Sequence, residues 1–106
     1  MPDTHVYVVV RQDLPLPQQA VQAIHAGIAS ARDFIPGDLI HPSLVLLTVP
    51  DKTALLATQD RCNAAGVRNH VFLEADIGDE PTALATEPIN GKGRRLFRNM
   101  PLFTGA

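Results

Sequence analysis

Two side chains of this sequence, His25 and Asp76, stand where acid–base chemistry is expected. His25 comes three residues after Gln22, on the polar side of a segment whose spacing predicts a helix. An imidazole titrates near neutral pH, so it can take a proton from water or donate one to a leaving hydroxyl group. Asp76 ends an apolar run, where its carboxylate either orients that water or imidazole or simply belongs to a turn. Activated water is favoured as the nucleophile, because the chain has neither a G-x-S-x-G elbow nor an H-E-x-x-H motif.

Four further residues are candidates for holding a substrate or the loop beneath it. Thr82 and Thr86 lie four apart on a predicted strand, so their side chains are expected on the same face. Their hydroxyls can bind a carbonyl or a phosphate, although threonine is also common in strands through its β propensity alone. Asp13 either caps a turn or pairs with Arg11 to hold the loop under the site.

A basic loop flanked by glycines, Gly91-Lys-Gly-Arg-Arg95, supplies Lys92, Arg94 and Arg95. Its spacing is not that of a phosphate-binding P-loop. Two interpretations stay open, a solvated surface loop and a contact for an RNA backbone without aromatic stacking. The formal net charge of -2 argues against nucleic acid as the partner of the whole chain, but a local patch can still meet phosphates.

No metal site and no cofactor is predicted. His41 and His70 lack partners at metal-ligand spacing, and the single cysteine, Cys62, has no second cysteine to pair with. No apolar run approaches the ~20 residues that span a bilayer, and the first residues do not resemble a signal peptide. These features predict a cytoplasmic protein with no membrane partner, and they leave open whether it is a monomer or a homodimer.

Four strands and two helices are predicted to position these residues. The apolar runs predict strands at His5–Arg11, Ser43–Val49, 67–75 and 82–89, and helices over residues 17–35 and 52–65. Small residues of the first helix predict that one side of it approaches the sheet or a ligand closely: Ala26, Gly27, Ala29 and Ser30. The spacing also predicts one apolar stripe on this helix: Val21, Ile24, Ile28, Ala31 and Ile35. A second stripe is predicted to lie away from it: Gln18, Gln22, His25, Ala29 and Arg32.

The order of these elements, β-α-β-α-β-β, predicts a single α/β domain over residues 1–106. Each helix is expected to link two parallel strands. The last two strands are expected either as neighbours or at opposite sides of the sheet.

Several of these residues together resemble the peptidyl-tRNA hydrolases of the archaeal and eukaryotic type. The matching stretch runs from Val8-Val-Val-Arg-Gln-Asp-Leu14 into Ala20-Val-Gln-Ala-Ile-His-Ala26. The family has an apolar strand, Arg-x-Asp-Leu, and then Ala-Ala-Gln-x-x-His-Ala. Further on, Glu74-Ala-Asp-Ile-Gly78 is similar to the family's Asp-x-Gly turn, which a threonine-bearing strand follows. The resemblance covers nearly the whole chain and implies a mixed four-stranded sheet flanked by helices.

The resemblance also implies an activity, hydrolysis of the ester that joins a peptide to the 3′ ribose of tRNA, without a metal. tRNA is then the implied partner. The family's histidine corresponds to His25, its helix glutamine to Gln22 and its aspartate to Asp76. Arg11 and Asp13 correspond to the Arg-x-Asp of the first strand.

Three departures from the family pattern are typical of a divergent, bacterial-style branch. The loop before the first helix is two residues shorter and lacks the family's Gly-Lys pair. Glu80 takes the place of a threonine, with Thr82 two residues later, and Glu87-Pro-Ile-Asn replaces the Ile-Gly-Pro ending of the last strand. A lost cation and an added carboxylate disfavour an anionic tRNA. Two alternatives follow: a non-catalytic RNA- or protein-binding module on the same scaffold, and hydrolysis of a small ester or amide.

Overall fold

A computed structural model of the chain describes residues 4–37 and 41–105. Its four strands are β1 (His5–Arg11), β2 (Ser43–Val49), β3 (Asn69–Glu74) and β4 (Glu80–Thr86). Two helices, α1 (Leu16–Phe34) and α2 (Lys52–Ala64), alternate with the first three strands. Two 3-10 segments, Ala75–Ile77 and Gly91–Phe97, follow β3 and β4, and the latter is called the basic segment below. The predicted α/β class and order β-α-β-α-β-β are confirmed.

The strands form one mixed sheet in the order β2-β1-β4-β3. β1 pairs with β2 in parallel, and β4 pairs antiparallel with both β1 and β3. The last two strands are therefore neighbours. β1 and β2 have the predicted bounds, whereas β4 begins two residues earlier and ends three residues earlier than predicted. It ends before Pro88, which has no N–H to give to the ladder.

Each face of the sheet has its own core. On one face, Ala23 and Ala26 of α1 pack onto alternating side chains of β1 and β4: Val6, Val8, Val10, Ala83 and Ala85. On the other face, α2 and the basic segment cover Tyr7, Val9 and Leu84 of the sheet. They do so through Leu55, Cys62 and Phe97. Burial raises the pKa of the Cys62 thiol to about 11, so this cysteine is an inert core residue.

Most of the apolar stripe of α1 lies outside the core, and the side with the small residues approaches the sheet. Ile24 and Ile28 are 62% and 63% exposed, and Val21 is also largely exposed. The buried side is instead lined by Gln19, Gln22, Ala23, Ala26, Ala29 and Ser30. The helix lies close to the sheet because Ala83 and Ala85 oppose it, and large side chains do not fit between surfaces that approach so closely.

The segment after the basic segment returns to the outer edge of β2. The Thr48 N–H donates to the Pro101 carbonyl at 3.0 Å, and the Phe103 N–H donates to the Leu46 carbonyl at 2.9 Å. An antiparallel bridge joins Leu47 and Leu102 between them. Residues 101–103 thus cover the carboxyl-terminal half of an edge strand.

Candidate functional site

The buried amide of Gln22 is the centre of the candidate site. Only 2% of Gln22 is exposed, although it lies in the second, more polar stripe of the helix. Its Oε1 accepts a hydrogen bond from Thr82 Oγ1 at 2.8 Å, and its Nε2 donates to Glu74 Oε2 at 2.9 Å. Because both ends are bonded, the amide is fixed in one orientation and its burial is compensated. Gln22 therefore joins α1 to the ends of β3 and β4.

A β-bulge brings Thr82 to this position. Phe72 pairs with Ala83 and Leu73 pairs with Pro81, so Thr82 has no partner of its own in the β3–β4 register. Bulges re-aim a side chain that strict alternation would send to the other face. Here the hydroxyl of Thr82 points to α1, and the threonine is completely buried.

His25 lies beside this chain of hydrogen bonds on an aromatic platform. Its ring stacks on Phe72 with centroids 4.5 Å apart and an angle of 3° between the planes. The residue is exposed, so a substrate can reach the imidazole. The hydrogen bond from the Gln22 amide lowers the pKa of the Glu74 carboxyl group. The Asp76 backbone N–H and the nearby His25 lower it further, so this carboxylate stays ionised at neutral pH. An exposed imidazole and an ionised carboxylate thus share one site.

Glu74, not Asp76, supplies the carboxylate that bonds to Gln22. Asp76 lies in the 3-10 segment after β3 and is exposed. Its backbone N–H donates to Glu74 Oε1 at 3.3 Å. The sequence does contain a signal for Glu74. It lies two residues after Phe72 on the same strand, so the two side chains are expected on the same face.

Arg11 is the hub of a separate charged cluster. Its Nε and Nη2 donate to the Asp13 carboxylate, both at 2.9 Å, and its Nη1 donates to Glu80 Oε1 at 2.9 Å and to the Pro81 carbonyl at 3.0 Å. Lys52 Nζ lies 3.3 Å from the same Glu80 oxygen. The hydrogen bonds from Arg11 lower the pKa of both carboxyl groups. The cluster contains two cations and two carboxylates, and it joins the ends of β1, α2 and β4. Of the two predicted roles of Asp13, the ion pair with Arg11 is the one found.

Thr86 does not join Thr82. It is completely buried, and its Oγ1 accepts a hydrogen bond from the Tyr7 backbone N–H at 3.1 Å. Its carbonyl accepts from Ser30 Oγ at 2.6 Å. Both polar groups are therefore engaged in connecting β4 to β1 and α1, and the hydroxyl is not offered to a substrate.

The sheet separates the basic residues from His25. Lys92, Arg94 and Arg95 belong to the basic segment, which is anchored on the α2 face by Phe97. The Phe97 ring stacks on Tyr7 with centroids 4.3 Å apart. Apart from the buried Thr86, the residues predicted to bind one substrate thus fall into three groups: the His25 site, the Arg11 cluster and the basic segment.

Within the described part of the chain, no group of three or more His, Cys, Asp or Glu side chains is arranged to hold a metal ion. No helix among these residues combines the length and the apolar character needed to cross a membrane.

Comparison with known proteins shows the fold but no family. No family model matches the chain, and no curated protein matches its sequence. Among the solved structures, a protein of unknown function from Agrobacterium tumefaciens is similar, with a TM-score of 0.75 and 14% sequence identity. The match covers 98% of this chain and 100% of that chain. The arrangement of strands and helices is thus found elsewhere as a whole domain.

Proposed function

We propose that this protein hydrolyses the ester between a peptide and the 3′ ribose of tRNA, with His25 activating the attacking water. The observation that carries this proposal is the fixed Gln22 amide, which joins Thr82 and Glu74 beside an exposed imidazole. Buried polar groups that are completely hydrogen-bonded hold a site in one geometry, as catalysis requires. The resemblance of the stretch from Arg11 to His25 supplies the substrate class, and a tRNA substrate places the protein in the cytoplasm.

In the proposed reaction, the His25 imidazole takes a proton from water as the water oxygen bonds to the ester carbonyl carbon. The carbonyl–ribose C–O bond then breaks, and the imidazolium returns the proton to the departing 3′ oxygen. The products are a free peptide acid and a tRNA with a 3′ hydroxyl. The ionised Glu74 carboxylate stabilises the positive charge that forms on the ring, and Phe72 holds the ring in plane.

The direct test measures release of an N-blocked amino acid from aminoacyl-tRNA. His25→Ala is expected to lower the rate by about 100-fold or more, the range of a lost general base. His41→Ala is the matched control, because it removes another exposed histidine and is expected to keep the wild-type rate. Equal rates for wild type and His25→Ala would end the proposal.

A second pair of variants tests which carboxylate serves His25. Glu74→Gln keeps the shape of the side chain but removes the charge, and it is expected to lower the rate by about tenfold or more. Asp76→Asn makes the same chemical change at an exposed side chain that does not bond to the Gln22 amide, and it is expected to have the smaller effect. A larger loss in Asp76→Asn would return the role to Asp76.

The second candidate function is a non-catalytic RNA- or protein-binding module. The observation in its favour is the negative charge at the site, where Glu74 and Asp76 stand near His25 and no cation bonds to either within the described residues. Such a rim repels a polyanion from His25 and so disfavours catalysis on tRNA there, whereas the basic segment on the other face remains able to bind RNA. A tRNA complex that weakens steeply with salt and shows no ester loss would favour this candidate over hydrolysis.

A further inference from the structure

The cations of this chain divide into two groups according to their partners. Four of the nine lysines and arginines form ion pairs with carboxylates: Arg11, Arg32, Lys52 and Arg68. The other five form none within residues 4–37 and 41–105, and all are exposed: Arg61, Lys92, Arg94, Arg95 and Arg98. These five lie together around the basic segment, on the α2 face. Within the described residues, no carboxylate neutralises their charges.

Three of these arginines stand at the rim of a cavity of about 410 Å³ between the basic segment and the β1–β2 edge of the sheet. Arg94, Arg95 and Arg98 line it together with mainly apolar side chains: Tyr7, Val45, Leu47, Phe97, Met100 and Leu102. The volume is that of a small-ligand site, and ligand sites are usually apolar with a few charged groups that fix orientation.

Specific contacts hold Arg94, Tyr7 and Leu102 in place around this cavity. Arg94 Nε donates to the Tyr7 hydroxyl at 3.0 Å, and Tyr7 is itself buried against Phe97. This bond uses one guanidinium donor and leaves the others available. Leu102 is 64% exposed, and its bridge to Leu47 sets it beside the cavity. A cationic rim thus stands over an apolar surface that is open to solvent.

We propose that this cavity binds an amphipathic anion, an acyl chain that ends in a phosphate or carboxylate group. The arginines bind the anionic head, because the guanidinium group matches the geometry of both anions. The acyl chain lies on Val45, Met100 and Leu102, which are partly or largely exposed, and removes that apolar surface from water. The site is on the opposite face of the sheet from His25, so it does not depend on the hydrolytic function proposed above.

An RNA strand fits these observations less well. The aromatic rings beside the cavity, Tyr7 and Phe97, are stacked on each other and buried, so no ring is presented for a base to stack on. A phosphate backbone needs cations but has no use for the exposed Leu102.

The test is calorimetric titration of the full chain with dodecyl phosphate and dodecanoate, each below its micelle concentration. Inorganic phosphate provides the head alone and dodecanol the chain alone. We expect both amphiphiles to bind at one site, each more than about tenfold tighter than inorganic phosphate or dodecanol, because charge and apolar burial act together. The two heads show which anion the arginines prefer.

Variants locate the site. The double variant Arg94→Gln, Arg98→Gln is expected to weaken dodecyl phosphate by about tenfold for each lost charge-assisted bond. Arg32→Gln, which removes an exposed cation on α1, is the charge control and is expected to bind as wild type. Leu102→Gln is expected to weaken binding, whereas Ile28→Gln is the matched apolar control. Ile28 lines a second apolar groove, between α1 and β2, which is the competing place for an acyl chain.

Three results would overturn the proposal. One is an affinity for inorganic phosphate equal to that for dodecyl phosphate, which would show an anion site without an acyl site. Another is loss of binding in Ile28→Gln but not in Leu102→Gln, which would place the ligand on α1. The third is tight, salt-sensitive binding of tRNA with no binding of either amphiphile. Circular dichroism of each variant separates lost binding from lost folding.

Discussion

At the residue scale, one side chain connects three elements. Among the residues of α1 that the structure describes, only Gln22 forms hydrogen bonds to both Thr82 on β4 and Glu74 on β3. An amide suits this position because it donates and accepts at once, so it satisfies a hydroxyl at one end and a carboxylate at the other. Replacing it with an apolar residue leaves a buried hydroxyl with one long contact, to the Phe72 carbonyl at 3.4 Å.

Gln22→Ala is therefore expected to lower the free energy of unfolding by about 2–3 kcal/mol, through lost hydrogen bonds and a small cavity. Gln12→Ala removes an amide from an exposed position and is expected to change it by less than about 0.5 kcal/mol. Urea unfolding midpoints measure the difference. Equal midpoints for the two variants would contradict the central role of Gln22.

The sequence located part of the site because local spacing carries the information. Gln22 and His25 are one turn apart on the same helix, and that relation survives folding. Local spacing does not connect Glu74 with the site, because its partner Gln22 is 52 positions away along the chain. Thr82 and Thr86 share a face only in a strand without a bulge, and the register shift that separates their hydroxyls arises from pairing between strands, which a single strand does not display.

At the scale of elements, α1 has two faces that differ in size rather than in polarity. Periodicity finds two stripes, but it does not decide which one meets the sheet. The opposing strand decides: β4 presents Ala83 and Ala85, so the small stripe with Ala26 fits and the large stripe does not. The bounds of β1 and β2 were predictable for the opposite reason, since their apolar runs are continuous and end at polar or proline residues.

Ala26→Leu tests this arrangement of α1. Ala26 is completely buried, and the larger side chain is expected to lower the free energy of unfolding by about 1–3 kcal/mol through overpacking. Ile28→Gln, on the exposed stripe, is expected to change it by less than about 0.5 kcal/mol. Thermal unfolding followed by circular dichroism gives both values. A greater loss in Ile28→Gln would show that the large stripe is covered in solution.

At the scale of the whole molecule, the sheet divides the protein into two chemically different sides. The α1 side carries His25 and Glu74, whereas the α2 side carries the five cations without carboxylate partners. Between them, at one end of the sheet, the Arg11 cluster joins β1, α2 and β4. The two sides of this small domain thus carry unpaired charge of opposite sign.

The pH dependence of stability follows from the Arg11 cluster. Asp13 and Glu80 have pKa values lowered by Arg11, so the unfolded chain binds protons first as the pH falls. Stability is therefore complete above the ordinary carboxyl pKa of about 4 and is lost as the pH falls through it toward the folded values.

Arg11→Met is expected to be less stable at neutral pH and to lose less between about pH 5 and pH 3, because the two carboxyl groups no longer favour the folded state there. Arg98→Met, which removes a cation without a carboxylate partner in the described structure, is expected to follow the wild-type slope. Urea unfolding across this range measures both. Parallel curves for Arg11→Met and wild type would show that other groups govern acid unfolding.

The cover that residues 101–103 place on β2 has a consequence during synthesis. Unpaired strand edges are templates for pairing with other chains. β2 leaves the ribosome more than 50 residues before Pro101, so its outer edge, with Leu46 and Thr48, has no strand of its own chain to pair with during that interval. A chain interrupted between β4 and Pro101 contains the whole sheet and still exposes that edge. Incomplete chains of this protein are thus more prone to associate with one another than complete ones.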